Sequence, residues 1–155
     1  MTFFTWQLLI RLITSFTCSV SFAVIFKIAP KHLIYGGICG LVTYLVYYTF
    51  EFFGFSLFVA ALTSTMFTAL FAEVTSRLRH APTIVFLIPG VIPTVPGGAL
   101  YNAVRYLLVD DLTLAYKYLF DTLQVGLGIA GGIVIISIIY GSINDLILRK
   151  RAHKK

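Results

Sequence analysis

Four of the five prolines fall between residues 82 and 98, in the stretch PTIVFLIPGVIPTVPGG. A proline removes one backbone donor, and its ring clashes with the carbonyl four residues back. Pro89, Pro93 and Pro96, interleaved with Gly90, Gly97 and Gly98, therefore predict a helix that breaks. The flanking residues are apolar enough to lie at membrane depth, where irregular backbone is tolerated only if protein buries it or water lines it. A helix that restarts after such a break presents free N–H groups and the positive end of its dipole, which suit a carboxylate or another anion. The candidate substrate path is accordingly Pro89, Gly90, Pro93, Thr94, Pro96, Gly97 and Gly98, with the amides near Gly97 and Gly98 facing the ligand. Thr94 can offer its hydroxyl to that ligand or back to the strained helix. The competing reading is a kinked helix packed for shape alone, because Pro and Gly are common in membrane helices.

Three further polar residues join the candidates. Arg11 lies inside an apolar segment, and an intramembrane charge is costly enough to count as a functional candidate. It also lies about 9 Å from that segment's end at about 1.5 Å per residue, within reach of the headgroups. Asn102 and Arg105, three apart after the proline block, share a helix face and could line a vestibule that attracts anions. Gly36 with Gly40, and Gly128 with Gly132, form small-xxx-small pairs suited to close helix contact. The hydroxyls of Thr63, Ser64, Thr65 and Thr68 suit bonding across helices. His32, His80 and His153 lack metal-ligand spacing, and Cys18 and Cys39 lack a CxxC partner. With no nucleophile elbow, P-loop or paired carboxylates, the sequence predicts neither an enzyme nor a bound cofactor or metal.

The elements that must carry these residues follow from hydropathy. The chain has 155 residues, is 59% hydrophobic and only 12% charged, against about 25% charged in soluble domains. Its mean hydropathy is +0.93. A soluble fold of this size has too little interior to hide such a composition. A span needs about 20 apolar residues. The fold class expected is an all-α integral membrane protein, one domain with five spans at about 5–26, 33–50, 52–72, 81–109 and 122–144, the fourth broken by the Pro/Gly block. The first segment lacks the basic flank and cleavage site of a signal peptide, so it reads as a retained span.

The connecting charges give orientation. Lys27, Lys31 and His32 are basic, Glu51 acidic, Arg77, Arg79 and His80 basic, and Asp110, Asp111 and Asp121 acidic despite Lys117. Five of the twelve basic residues crowd into the last seven positions, within a tail at 145–155. Five crossings with the N-terminus outside put every basic loop and the tail in the cytoplasm. A re-entrant fourth segment would break that alternation. The net charge of +6 is thus read as topology, with no nucleic-acid partner. Phe3, Phe4 and Trp6 at one end, with Tyr47 and Tyr48 at another, read as interfacial belts.

Five spans would make one half of a transporter built from two repeats around a midplane site, the other half coming from another chain or a second copy. His80, the block PGVIPTVPGG at 89–98 and the following Ala99, Leu100 and Tyr101 resemble the small subunit of the split threonine/serine exporter family, the YjjB-like proteins. SFAVIFKIAPKHLIYGGICG, residues 21–40, adds a second likeness, and length, span layout and basic tail agree. The resemblance implies export of threonine and serine, or of small dicarboxylates such as succinate, across a bacterial inner membrane. It also implies a larger YjjP-like partner that supplies another five spans. A scaffold subunit that stabilises a partner and a homo-oligomeric channel are the readings from other classes.

Overall fold

The structure, a computed structural model, describes residues 2–152, with side chains described from Trp6 to Ser142. The expected belt residues Phe3 and Phe4 and the side chains of the basic tail lie outside the described side chains. Every regular element is helical: α1 Thr2–Ile25, α2 Pro30–Phe52, α3 Leu57–Arg79, α4 Ile84–Val91, a 3-10 turn Ile92–Thr94, α5 Gly97–Leu108 and α6 Leu112–Ala152.

Four helices end on a residue in the left-handed region: Lys27, Gly54, His80 and Asp110, with φ of 55°, 80°, 50° and 57°. In each case the following amide reaches back five residues, as in Ile28 N–H to Ala23 O at 3.0 Å and Asp111 N–H to Tyr106 O at 3.0 Å. This arrangement satisfies carbonyls that the helix end would leave unpaired. Restarting helices use Pro30 in the first turn of α2, the Ser56 hydroxyl accepting from Val59 N–H at 3.4 Å, and Asp111 Oδ1 accepting from Leu114 N–H at 3.1 Å.

Four helices are long and apolar enough to cross a membrane: Trp6–Ile25, Pro30–Phe52, Leu57–Arg79 and Leu112–Ser142. A fifth crossing comes from α4, the 3-10 turn and α5 taken together, bent by 48°. Contacts fix the directions. Arg11 near the start of α1 covers Tyr48 near the end of α2, whereas Ala23 meets Gly36, so α1 and α2 are antiparallel. Thr43 meets Thr68 and Tyr35 meets Arg79, so α2 and α3 are antiparallel too. In contrast, Gly128 faces Phe58 and Ala61, Gly132 faces Leu62 and Thr65, and Tyr140 lies under Arg77, so α3 and α6 run parallel. Two parallel neighbours require the chain between them to return from one end of the bundle to the other. The α4–α5 segment is therefore a broken crossing and not a re-entrant hairpin.

Helix bounds depart from the apolar runs where charge and cap disagree with hydropathy. α3 begins after its Ser56 cap and runs on through Arg77 to Arg79. α6 begins at Leu112, ten residues before the apolar run, because Lys117 and Asp121 sit within helix. Its turns before Gly128 pack mainly on α5, with Tyr106 stacked on Tyr118 at 5.5 Å and 1°.

The interior is built of small side chains: Ala60, Ala61, Ser64, Thr65, Thr68, Ala69 and Ala72 of α3 are all buried. The large aliphatic and aromatic residues point outward instead, Leu78 at 72% exposure and Phe53 at 71% among them. Lipid, as apolar as leucine, removes any reason to bury them, while small residues let backbones approach closely. A carbon added at Gly128 would stand 2.7 Å from Phe58 O, and one at Gly132 would stand 2.7 Å from Leu62 O. Gly128→Ala and Gly132→Ala are therefore expected to destabilise the protein by about 1–3 kcal/mol each in thermal unfolding from nanodiscs. Gly126→Ala, where a carbon meets nothing within 4 Å, is the control expected to change nothing. Equal behaviour of all three would show that this contact does not depend on glycine.

Candidate functional site

The broken span lies in a trough on α2. His32, Gly36 and Gly40 recur every fourth residue along one face of that helix, and they receive Phe86, Pro89 and Pro93 in register. The His32 and Phe86 rings stand 5.4 Å apart. A carbon on Gly36 would lie 3.5 Å from Pro89 Cβ, and one on Gly40 would lie 3.3 Å from Pro93 Cγ and collide with Ser19 Oγ. Gly90, on the other side of α4, presses toward Cys39 and Thr68, where a carbon would come within 2.5 Å of Cys39 Sγ. Pro89 and Gly90 are accordingly buried in protein. The hydroxyls of Thr43 and Thr68 meet at 2.6 Å beside them.

The break is patched locally. Thr94 is buried and its hydroxyl donates to Val91 O at 2.8 Å, so of the two tasks the sequence allowed it, it performs the backbone one. Val95 N–H donates to Ile92 O at 3.1 Å, and Gly97 N–H to Val95 O at 2.8 Å. The Gly97 amide is thus engaged. The amides left without an intrahelical acceptor at the start of α5 are those of Gly98 and Ala99. Gly97 and Gly98 are exposed, and a carbon on either meets nothing within 4 Å.

Beside Pro93 a cavity of about 220 Å³ opens between α1 and α2, lined by Arg11, Thr14, Ser15, Cys18, Tyr44 and Pro93. Arg11, Ser15 and Ser19 follow one another every fourth residue, and Cys18 joins the same face. The Arg11 guanidinium lies 5.6 Å from the Tyr48 ring centre, within cation–π range. Among the described residues it has no carboxylate partner. The hydroxyls of Thr14 and Ser15 donate to α1's own carbonyls, Thr14 to Ile10 O at 2.9 Å and Ser15 to Leu12 O at 3.2 Å. Their oxygen lone pairs can accept further donors. One turn deeper, Ser19 is fully buried and its hydroxyl has no partner among the described residues. A cation and two hydroxyls in the lining suit a small ligand with a carboxylate and polar hydrogens.

The sequence candidates thus divide. Arg11 and Pro93 meet in the cavity, with Gly40 at its floor and Pro89, Gly90 and Gly36 just below. Asn102 and Arg105 ride on α5 away from it, and the Arg105 guanidinium stands 5.8 Å from the neighbouring Tyr106 ring. Pro96, Gly97 and Gly98 lead to that arm. Gly128 and Gly132 serve the α3–α6 contact. The α3 hydroxyls bond mostly to their own helix, Thr65 to Ala61 O and Thr68 to Ser64 O at 2.8 Å, with Thr43–Thr68 as the bond across helices. Ser15 and Tyr44 line the cavity, with Ser19 buried one turn deeper, and sequence did not single them out, because α1 also carries hydroxyls at Thr14, Thr17 and Ser21 and spacing alone does not pick the face that meets α2.

No curated protein and no solved structure matches the chain. The family described as Threonine/Serine exporter, ThrE matches residues 11–139, which takes in Arg11, the trough and the whole broken span. The chain therefore belongs to the threonine/serine exporter family of multi-pass membrane transport proteins.

Proposed function

We propose that this chain is the small subunit of a secondary transporter that exports threonine and serine, working with a larger YjjP-like five-span partner in the inner membrane of a bacterium. The observation that carries the reading is the cavity at the break of the fourth span, with Arg11 and the hydroxyls of Thr14 and Ser15 in its lining. The Arg11 end faces outside and the basic tail faces the cytoplasm, in keeping with the alternation of loop charge. The substrate carboxylate pairs with Arg11, and the amides of Gly98 and Ala99 stand further along the same broken span. A single bundle of five crossings encloses one side of such a path. A second half then has to close it, as in transporters assembled from two repeats. Arg11, which has no carboxylate partner among the described residues, also favours a second reading, export of a dicarboxylate such as succinate.

The assembly is tested by efflux of preloaded labelled threonine and serine from cells lacking their own exporters. Efflux is expected only when this chain and the partner are expressed together. Efflux with this chain alone would point to a self-assembling channel. With both chains present in the membrane, movement of succinate but not threonine would establish the second reading, and movement of neither would leave a scaffold role.

Arg11→Leu is expected to lower efflux about 10–100-fold, the worth of a hydrogen bond to a charged group at about 1.5–3 kcal/mol, with Arg11→Lys intermediate. Unchanged efflux would remove Arg11 from the substrate path. Water access gives an independent check. Cys18 lines the cavity and Cys39 is 1% exposed behind α4. An impermeant maleimide added outside is expected to label Cys18 at least about 100-fold faster than Cys39, thiol reactivity following exposure. Equal protection of both would mean that the cavity is dry and the scaffold reading stands.

A further inference from the structure

At the end of the bundle opposite Arg11 stands a second cluster, one that cation and hydroxyl binding at the cavity leaves without a task, beside a cavity of about 460 Å³ between α2 and α3 that Tyr35 and Arg79 help to line. His32, in the first turn of α2, is 6% exposed, and among the described residues its Nδ1 has no hydrogen-bond partner. Its ring stands at 90° to that of Phe86, the largest fully buried side chain. Tyr35 meets the same ring at 6.4 Å and 84°, and the Arg79 guanidinium covers Tyr35 at 4.5 Å. Phe86 sits on α4 one turn before Pro89, so its seat fixes the foot of the broken span.

A buried polar atom left unpaired costs about 1–3 kcal/mol, and leucine would fill the same space without that cost. Histidine differs from leucine in that it can change charge between about pH 5 and 8. The charged groups that face it are both cations, Lys31 on α2 and Arg79 on α3, with the Tyr35 phenol beside them. An imidazolium in this seat would lie between two like charges with a buried N–H and no acceptor.

We propose that His32 is a proton-operated latch on the foot of the broken span. Neutral, its ring seats against Phe86 and holds that end closed. A proton bound at Nδ1 forms one N–H bond and adds one charge, and the ring then leaves its seat for water, carrying the contact with Phe86 away. Release of the same proton to the water at that end lets the ring re-seat. The inference rests on the export reading and adds a control to it: acid water at the loading end opens that end, and an amino acid then leaves outward.

The test has two arms. In the full chain with its histidines 15N-labelled, in nanodiscs, the His32 signal is assigned by its loss in His32→Gln. Burial and the two facing cations disfavour its imidazolium, so the signal is expected to change only on acidification below the ordinary histidine value, and a signal that does not change before the chain unfolds would overturn the latch. In proteoliposomes holding this chain with its partner, His32→Gln is expected to keep threonine efflux and to lose its rise when the water at the His32 end is acidified. His32→Phe, which fills the seat without titrating, is expected to behave alike and guards against a folding defect. A rise on acidification retained by both variants would overturn the proposal. If wild type moves no threonine in any mode, the export reading fails, and the titration decides the latch by itself.

Discussion

In hydrocarbon an unpaired backbone N–H or C=O costs several kcal/mol, so a chain that breaks a helix there must satisfy the freed groups on the spot. The fourth crossing meets this constraint in two ways. Thr94 lends its hydroxyl to Val91 O, and a short 3-10 turn shares out the carbonyls between Ile92 and Val95. The protein then buries the broken segment on both sides, α2 in front and α3 behind. Glycine at 36, 40 and 90 is what lets it come so near, since a side chain at any of these would meet Pro89, Ser19 or Cys39. The break and the glycines are thus one feature, and neither is affordable in lipid without the other.

The same constraint explains the distribution of side chains. A soluble bundle would place leucine inside, whereas here the core is alanine, serine and threonine and the leucines face outward. Close backbone approach supplies dispersion contact where burial from water supplies none. Hydroxyls are tolerated within that core because each finds a carbonyl one turn back or a neighbour, as Thr43 and Thr68 do. Ser19 and His32 Nδ1 stand out against this background as buried polar atoms that found neither. They lie at opposite ends of the trough, one beneath the Arg11 cavity and one at the foot of α4.

Much of this was written in the sequence. The Pro89–Gly98 block fixes the break, and the apolar runs fix the five crossings, because both follow from chain chemistry within a few residues. The ends of the helices were less legible. Gly54 announces a left-handed cap, but Lys27, His80 and Asp110 take up the same conformation against their own preference. There, burial of the flanking helices outweighs the local cost of about 1 kcal/mol. The extension of α6 back to Leu112 was hidden by Lys117 and Asp121, which lower hydropathy without disturbing the helix. The engaged amide of Gly97 depended on how the turn closes over Val95. Ser19 and His32 required knowing which helix faces which, and spacing within one helix does not tell that.

The two ends of the trough also differ in a way that bears on mechanism. At the Arg11 end the wall between α1 and α2 is open, with Arg11, Thr14 and Ser15 set in a mainly apolar lining. At the other end the His32 and Phe86 rings are buried edge to face, with Tyr35 half-buried beside an opening between α2 and α3. Between them α4 rests on Gly36 and Gly40 of α2, while Cys39 of α2 seats against Gly90 of α4. Bulkier contacts flank this run at both ends. Phe86 is such a contact at one end, and Pro93 against Gly40 and the Ser19 floor is the other. On the export reading proposed above, alternating access acts at these two ends of the broken span.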